Sequence, residues 1–304
     1  MHDELTQHQR FLGALRPSEL NGRRPYAVLV GLAWDGSTTY RAGARFGPEA
    51  LRLASDSIET YCPRSEEDLE DGLYLDWGDL DAGADEMGEE ARMRYWCEQL
   101  KAAPDLPLLA LGGDHLAAYP FIIRALSEHD GLQIVHIDAH ADLRDTWEGA
   151  RFNHATVLRR VLEVMPEGTS LHQWGIRSGM RQEFELIRRH SQILPISNTR
   201  EGGAELARRL GAMGKPVYVT LDVDGIDPAD IPGTGTPEPA GLAFEWVETF
   251  FVELAKASVR LVGVDLVELA PRIDPTGRSS VAAARLVRSA LLAMRGRTPS
   301  SDLR

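Results

Sequence analysis

Three short clusters of acidic and imidazole side chains, each directly after an apolar run, limit the folds open to this sequence more than any other feature. The clusters are 112–115 (GGDH), 138–142 (DAHAD) and 222–224 (DVD). The runs before them have the length and composition of buried strands. Carboxylates grouped at strand ends repel one another and lose solvation, which is unfavourable unless cations neutralise them. The clusters therefore predict a metal site.

Apolar runs alternate with amphipathic segments along the chain. We predict strands at 26–32, 106–111, 132–137, 170–174, 217–223 and 260–266, and helices at 48–54, 89–100, 119–127, 155–164, 181–190, 204–213, 243–256 and 279–294. Apolar strands separated by helices are typical of a parallel sheet covered on both faces. The predicted fold class is α/β, a three-layer α/β/α arrangement with a central parallel sheet. Ligands of such sheets bind beyond the carboxyl ends of the strands, where all three clusters fall.

Composition and charge limit the class of protein. The 304 residues are 43% hydrophobic and 26% charged, as in an ordinary soluble globular protein. We expect a single domain over residues 1–304, with about the first 20 residues and the tail from 296 peripheral. The net charge of -13 opposes binding to nucleic acid or to a membrane and favours a small cationic partner. With two cysteines, no secretory signal and no long apolar stretch, we expect a cytoplasmic protein.

The spacing inside the clusters predicts how their side chains converge. Residues two apart in an extended chain point to the same side, so the acidic and imidazole groups of each cluster should face one cavity. Four aspartates and two histidines exceed what one catalytic ion requires, so we expect a binuclear centre. Manganese is favoured by the ligand types, with zinc, iron, cobalt and nickel as alternatives. The predicted ligands are His115, Asp138, His140, Asp142, Asp222 and Asp224.

Two neighbours of these ligands are expected to support them. His136 lies on the same alternating face as Asp138 but within the strand, which favours a role behind the ligands over metal binding. Asp114 is expected to orient its neighbour His115. Taken singly, an aspartate at a strand end is usually a turn or helix cap, and only the joint occurrence of three clusters favours a site.

With these residues in place, the chain resembles the ureohydrolase family, which contains arginases, agmatinases and other guanidino-compound hydrolases with a binuclear manganese centre. The resemblance covers nearly the whole chain, through 40–49 (YRAGARFGPE), the three clusters, 153–156 (NHAT), 221–228 (LDVDGIDP), 233–237 (GTGTP) and 265–268 (DLVE). It implies an arginase-like fold, two Mn²⁺ ions per subunit on the same six ligands, and Asp138 and Asp222 as bridging carboxylates. It also implies a homo-oligomer, either a trimer or a hexamer.

The resemblance further implies three catalytic residues. His154 matches the family's catalytic histidine and would protonate the leaving amine, while Asp142 would accept a hydrogen bond from the attacking hydroxide. Glu268 matches the glutamate that receives the guanidinium, and a buried carboxylate can accept two parallel hydrogen bonds from that planar group. In isolation His154 would be regarded as structural, because Asn153 before it is a good helix cap.

Within the family, the segments 138–145 and 153–155 most resemble agmatinases, so agmatine, hydrolysed to putrescine and urea in polyamine biosynthesis, is the expected substrate. Arginases carry polar residues for the amino-acid end of arginine where this chain has Leu143, Arg144 and Asp145. Arg144 would favour an anionic tail if it pointed into the pocket. We expect it instead to pair with Asp145 or Glu148.

Two alternatives to an agmatinase stay open at this point. The first is hydrolysis of another guanidino compound, such as guanidinobutyrate. The second is a metal-binding scaffold without turnover, against which the matches at His154 and Glu268 argue. Trp34 and Asn153 are further positions expected to affect the mouth of the pocket, and Glu238 is expected either to bind the far amine of the substrate or to cap a loop.

Overall fold

The computed structural model describes residues 10–296, and an eight-stranded parallel sheet lies at its centre. The strands are β1 (Ala27–Leu32), β2 (Tyr61–Cys62), β3 (Glu67–Asp68), β4 (Tyr74–Asp79), β5 (Leu108–Gly112), β6 (Gln133–Ile137), β7 (Ser170–Trp174), β8 (Ile193–Pro195), β9 (Val217–Asp222) and β10 (Leu261–Val267). Across the sheet the order is β4-β1-β5-β10-β9-β6-β7-β8, and every pairing is parallel. The short strands β2 and β3 form a separate antiparallel pair.

Helices cover both faces of this sheet. They are α1 (Gly47–Ser55), α2 (Glu89–Leu100), α3 (Tyr119–Glu128), α4 (Val157–Val164), α5 (Arg181–Arg189), α6 (Arg200–Met213), α7 (Phe244–Lys256) and α8 (Arg278–Arg295). One core cluster contains α1, α6, α7 and α8, and the other contains α2, α3 and α4 with α5 packed against it. The predicted three-layer α/β/α fold is therefore confirmed. None of the helices in residues 10–296 has both the length and the apolar composition needed to cross a bilayer.

The apolar strands are explained by burial on both faces. In β1, Ala27 and Leu29 belong to one core cluster, while Val28 and Val30 belong to the other. Alternate residues of a strand point to opposite faces, so a strand between two helical layers is apolar at most of its positions. The continuous apolar runs of the sequence follow from this requirement.

All six predicted strands are present, but the strands at the two edges of the sheet were not predicted. The edge strand β4 carries Asp76, which is buried and accepts hydrogen bonds from the Nε and Nη2 atoms of Arg52 at 2.8 and 2.9 Å. The other edge strand, β8, is three residues long. Neither strand forms an apolar run, because an edge strand needs less burial than a central one, so a search for such runs misses both.

The N-terminal segment packs closer to the core than the sequence suggested. Phe11 and Ala14 are buried in one core cluster, and the amide of Phe11 donates a hydrogen bond to Asp76 at 2.9 Å. Leu15 forms a bridge with Leu75 of β4. The segment covers the edge strand with apolar side chains, so its described part is not peripheral. Residues 1–9 and 297–304 lie outside the described part of the chain.

His172 on β7 provides a prediction about stability. Its side chain is buried, its Nε2 lies 3.0 Å from Gln133 Oε1, and Arg209 Nη2 lies 3.2 Å from its Nδ1. Burial, with the nearby charge of Arg209, lowers the pKa of His172 to about 4. In the unfolded chain the histidine takes up a proton near its ordinary pKa of about 6.5. The contribution of His172 to the free energy of unfolding is therefore complete above that pH and is lost as the pH falls towards 4.

Between pH 8 and pH 5.5 the wild type is therefore expected to lose about 1 to 2 kcal/mol more unfolding free energy than a His172→Gln variant. Urea unfolding at the two pH values measures this difference. Equal losses in both proteins would contradict the prediction.

Candidate functional site

Four adjacent strands bring the predicted site residues together. In the order β5-β10-β9-β6, these strands lead into or contain His115, Glu268, Asp222 and Asp138, all at their carboxyl ends. Parallel strands end at a common edge, so four segments that are far apart in sequence share one cavity. The sequence motifs become a single site only through this strand order.

His115 is surrounded by carboxylates. Its Nδ1 atom lies 3.0 Å from Asp138 Oδ2, 3.0 Å from Asp142 Oδ2 and 3.4 Å from Asp222 Oδ2. All four side chains are buried. Nitrogen and oxygen ligands thus converge from three segments on a region large enough for a divalent ion.

A second group lies on the other side of Asp138. His140 Nδ1 is 3.0 Å from Asp224 Oδ2 and 3.6 Å from Asp138 Oδ1. The structure therefore has two neighbouring groups of residues with metal-binding atoms, and Asp138 belongs to both of them. A carboxylate shared in this way has the position expected of a bridging ligand in a two-ion centre.

The nitrogen and oxygen atoms of these residues are suited to binding metal ions. His115 Nδ1 is buried and has no hydrogen-bond partner with normal geometry among the residues that the structure describes. A buried imidazole nitrogen without a partner is costly, and coordination to a cation would satisfy it. The mixed imidazole and carboxylate set suits a borderline-to-hard divalent ion such as Mn²⁺.

The carboxylates of the site strongly affect one another. Burial raises the pKa of Asp222 well above its ordinary value, and the neighbouring Asp224 and Asp138 raise it further. Burial and Asp138 likewise raise the pKa of Asp224 to about 6. The charged forms are destabilised by lost hydration and mutual repulsion, which bound cations would relieve.

His136 is fixed behind the ligands. Gln173 Nε2 lies 3.1 Å from both the Ala141 carbonyl oxygen and His136 Nδ1. Because the Ala141 carbonyl oxygen can only accept, the Gln173 atom that faces it must be the amide nitrogen. The same nitrogen therefore also donates to His136 Nδ1. His136 must then carry its proton on Nε2, which lies 2.7 Å from Asp138 Oδ2. The ring holds the shared carboxylate in place and has no free nitrogen for a metal.

Two of the site's acidic residues have an unusual backbone conformation. Asp142 has φ +53° and Glu268 has φ +63°, in the left-handed region that residues other than glycine seldom adopt. Glu268 is held there by its amide, which donates to the Gly113 carbonyl at 2.7 Å, and by its Oε1, which accepts from the His115 amide at 2.9 Å. Such conformations concentrate at functional sites because the surrounding structure has to stabilise them.

His154 faces Glu268 across the cleft. Its Nδ1 lies 3.5 Å from Glu268 Oε1, and its Nε2 lies 3.1 Å from Thr39 Oγ1. Burial by itself would lower the pKa of His154, but its interaction with Glu268 raises the pKa to about 9. The histidine and the glutamate therefore meet beside the metal-binding groups, as two residues acting on one substrate would have to do.

Asp114 anchors two segments of the site. Its Oδ2 accepts hydrogen bonds from the Ser37 amide and hydroxyl at 2.9 and 2.7 Å, and its Oδ1 accepts from the Leu116 amide. Ser37 Oγ in turn accepts from the His154 amide at 2.9 Å. Asp114 thus fixes the loop beneath His154 and, through the Leu116 amide, caps the turn that begins at His115.

An open cleft lies above these residues. Arg144 is in its wall, with its guanidinium 3.8 Å from the centre of the Trp147 ring and its Nε 3.6 Å from Glu183 Oε2. Asp145 pairs with Arg160 instead, at 2.9 Å. The expected pairing of Arg144 with Asp145 or Glu148 is therefore wrong, because the turn directs the side chain towards α5.

The remaining positions near the mouth are also placed by the structure. Trp34 packs edge-on against Trp96 and lines a separate hollow, and Asn153 caps the turn that begins at His154. Glu238 Oε1 accepts a hydrogen bond from the Ser178 hydroxyl at 2.8 Å, at a partly exposed position.

Sequence reasoning missed several residues that complete the site. They are Ser37, Thr39, Glu183, Thr220 and Asp265. Each is an ordinary residue in an ordinary local pattern, and its role depends on a contact with a distant segment. Of the five, only Asp265 lies inside one of the motifs that carry the family resemblance, 265–268.

Comparisons with known proteins agree with this geometry. Residues 26–293 match the Arginase family. An agmatinase of Bacillus cereus is 37% identical over 87% of this chain and 90% of its own length, and a guanidinobutyrase of Pseudomonas aeruginosa is 32% identical over 92% and 89%. The crystal structure of the agmatine ureohydrolase of Thermoplasma volcanium has a TM-score of 0.75 at 30% identity and covers 89% of this chain and 90% of that one.

Proposed function

Because this chain belongs to the arginase family, we propose that it is a ureohydrolase that cleaves agmatine to putrescine and urea. The observation that carries the proposal is the pair of metal-binding groups joined by Asp138, with His154 and Glu268 facing each other beside them. The agmatinase of Bacillus cereus, at 37% identity over most of the chain, supports the choice of substrate. A scaffold without turnover would have no use for that histidine–glutamate pair.

The proposed cofactor is two Mn²⁺ ions per chain. The residues that would hold them are His115, Asp138, His140, Asp142, Asp222 and Asp224. When bound, such a pair of ions lowers the pKa of a water molecule towards neutrality and so supplies the nucleophile. The ligand types support manganese over softer metals, for which thiolates would be expected.

The protein's own residues then have three tasks. Glu268 accepts hydrogen bonds from the substrate guanidinium and fixes its carbon above the metal-binding groups, which is the largest help a poor electrophile can receive. Asp142 accepts a hydrogen bond from the attacking water and so orients it. His154 donates a proton to the alkyl amine as the carbon–nitrogen bond breaks, leaving urea.

Substituting His154 provides a test of the proton-transfer step. A His154→Asn variant is expected to hydrolyse agmatine about 10²- to 10⁴-fold more slowly, since the leaving amine then departs without a positioned acid. Urea release measures the rate, and added imidazole should restore part of it. A Thr39→Val variant, which removes only the contact to Nε2, should lose much less. A His154→Asn rate within a factor of ten of the wild type would contradict the assigned role.

A second substrate class, the guanidino acids, is favoured by one observation. Arg144 lies in the wall of the cleft, and its Nη atoms make no hydrogen bond to any of the residues 10–296. The guanidinobutyrase of Pseudomonas aeruginosa is also a relative. Urea release from agmatine, guanidinobutyrate and arginine, after incubation with Mn²⁺, decides between the classes. Agmatine should give the highest kcat/KM, and no urea from any of the three would overturn the proposed function.

Three properties of the whole protein belong to the same proposal. We propose one domain over residues 1–304, supported by a sheet that draws strands from both halves of the chain. We propose a trimer or a hexamer of two trimers, as in the resembled family. We propose a cytoplasmic location, supported by the low cysteine content.

A further inference from the structure

Asp265 on β10 is a buried carboxylate that receives two hydroxyl groups. Its Oδ2 accepts a hydrogen bond from the Tyr218 hydroxyl at 2.8 Å, and its Oδ1 accepts from the Thr220 hydroxyl at 2.7 Å. Thr220 lies directly opposite Asp265 in the pairing of β9 with β10. A carboxylate has no hydrogen to give, so both hydroxyls have to act as donors.

This direction determines the next hydrogen bond. Thr220 Oγ1 also lies 2.9 Å from His115 Nε2. The Thr220 hydroxyl has one hydrogen, which it already donates to Asp265. In its contact with the His115 ring, the Thr220 oxygen can therefore only accept. His115 Nε2 therefore carries a hydrogen and donates it to Thr220.

The consequence appears at the other ring nitrogen. In a neutral imidazole with its hydrogen on Nε2, the lone pair is on Nδ1. Nδ1 is the atom that lies 3.0 Å from the nearest oxygens of Asp138 and Asp142, and within residues 10–296 it has no hydrogen-bond partner of normal geometry. The opposite tautomer would direct an N–H group at these carboxylates and would leave no lone pair for a cation.

We propose that Thr220 and Asp265 form a relay that fixes His115 in its metal-binding tautomer. Both are positioning residues, since they act through His115 and contact neither the substrate nor the ions. The inference rests on the proposed metal centre and extends it to residues behind the ligands.

The relay serves only one of the two metal-binding groups. His140 Nε2 is 3.7 Å from Glu238 Oε1, a carboxylate oxygen, and the His140 side chain is 26% exposed. A change in the relay should therefore weaken one ion of the pair directly and spare the ligand set of the other.

Substitutions at Thr220 provide the main test, with Mn²⁺ affinity and metal content as readouts. Thr220→Val keeps the shape of the side chain but leaves the Nε2–H group of His115 without an acceptor. The variant is expected to bind one of the two Mn²⁺ ions about 10- to 100-fold more weakly. Competition with a chelator measures the affinity, and elemental analysis measures the ions per chain. Thr220→Ser restores the hydroxyl and should bind Mn²⁺ within about threefold of the wild type.

A substitution at Asp265 reverses the relay. In an Asp265→Asn variant the phenolic hydroxyl of Tyr218, a stronger donor and weaker acceptor than the Thr220 hydroxyl, favours the amide oxygen, so the amide nitrogen faces Thr220 and donates to it. The Thr220 hydroxyl then donates to His115 Nε2 and shifts the ring hydrogen to Nδ1. The expected loss of Mn²⁺ affinity is at least as large as in Thr220→Val, and this variant supplies the test if Thr220→Val does not fold.

Tyr218→Phe is the matched control, because it removes a hydrogen bond from the same carboxylate without changing the direction of the Thr220 hydroxyl. It should lose stability but bind two Mn²⁺ ions with unchanged affinity. Equal Mn²⁺ affinity in wild type, Thr220→Val and Asp265→Asn would overturn the relay and leave the proposed function standing. So would an equal loss in Tyr218→Phe. A wild type that binds no Mn²⁺ would overturn the proposed centre and the relay together.

Discussion

Replacing Asp138 with Asn is expected to remove both Mn²⁺ ions and to reduce urea release by at least about 10⁴-fold. Asp138 is the carboxylate that belongs to both metal-binding groups, and it also accepts hydrogen bonds from His136 Nε2 and the His140 amide. An amide at this position has the same size but half the acceptor capacity and no charge. Loss of the shared ligand should therefore affect the two ions together, which elemental analysis of the purified variant measures.

The matched control for this variant is Asp76→Asn on β4. Asp76 is equally buried and pairs with Arg52 at 2.8 Å, far from the cleft on the edge strand. Its replacement should lower the melting temperature but leave two ions per chain and most of the urea release. An Asp138→Asn variant that retained two ions and a normal rate would contradict the assignment of Asp138 as a shared ligand.

A Glu268→Gln variant is expected to lose about 2–5 kcal/mol of transition-state binding, or roughly 30- to 4,000-fold in kcat/KM for agmatine. The neutral side chain keeps an oxygen for the His115 amide but can no longer pair with a guanidinium charge. The binding of Mn²⁺ should be unchanged, because Glu268 is not among the proposed ligands. Urea-release kinetics and metal content together separate a defect in substrate orientation from a loss of cofactor.

Glu248→Gln on α7 is the control for removal of a buried glutamate charge. Glu248 accepts a hydrogen bond from Arg285 at 2.7 Å and lies outside the cleft. This variant should lose stability without a change in kcat/KM. If Glu268→Gln lost its Mn²⁺ as well, or kept its kcat/KM within a factor of three, Glu268 would not be the residue that receives the guanidinium.

The central layer of the fold could be predicted because its determinants are local. Strands such as β1 are buried on both faces, so they appear in the sequence as largely apolar runs, and the helices between them are amphipathic. The edge strands β4 and β8 were missed because that requirement is relaxed at an edge. Asp76, for example, sits in β4 only because Arg52 of α1 reaches it.

The supporting residues of the site could not be predicted in the same way. Thr220 and Asp265 are 45 positions apart and meet because β9 and β10 are neighbours. Arg144 contacts Glu183 of α5 instead of its sequence neighbours, and the left-handed φ angles of Asp142 and Glu268 are imposed by their surroundings. None of these contacts leaves a pattern in the local sequence.

The sequence by itself determined which chemical groups stand at the ends of the strands, because that depends on residue identity and on a two-residue repeat that any extended chain shares. The tertiary structure decided which strand ends are neighbours, and hence that Asp138 belongs to two groups and that His115 presents Nδ1 to them. The physical reason is that strand order arises from long crossover connections, whereas the direction of a hydrogen bond depends on the partner that packing brings within 3 Å.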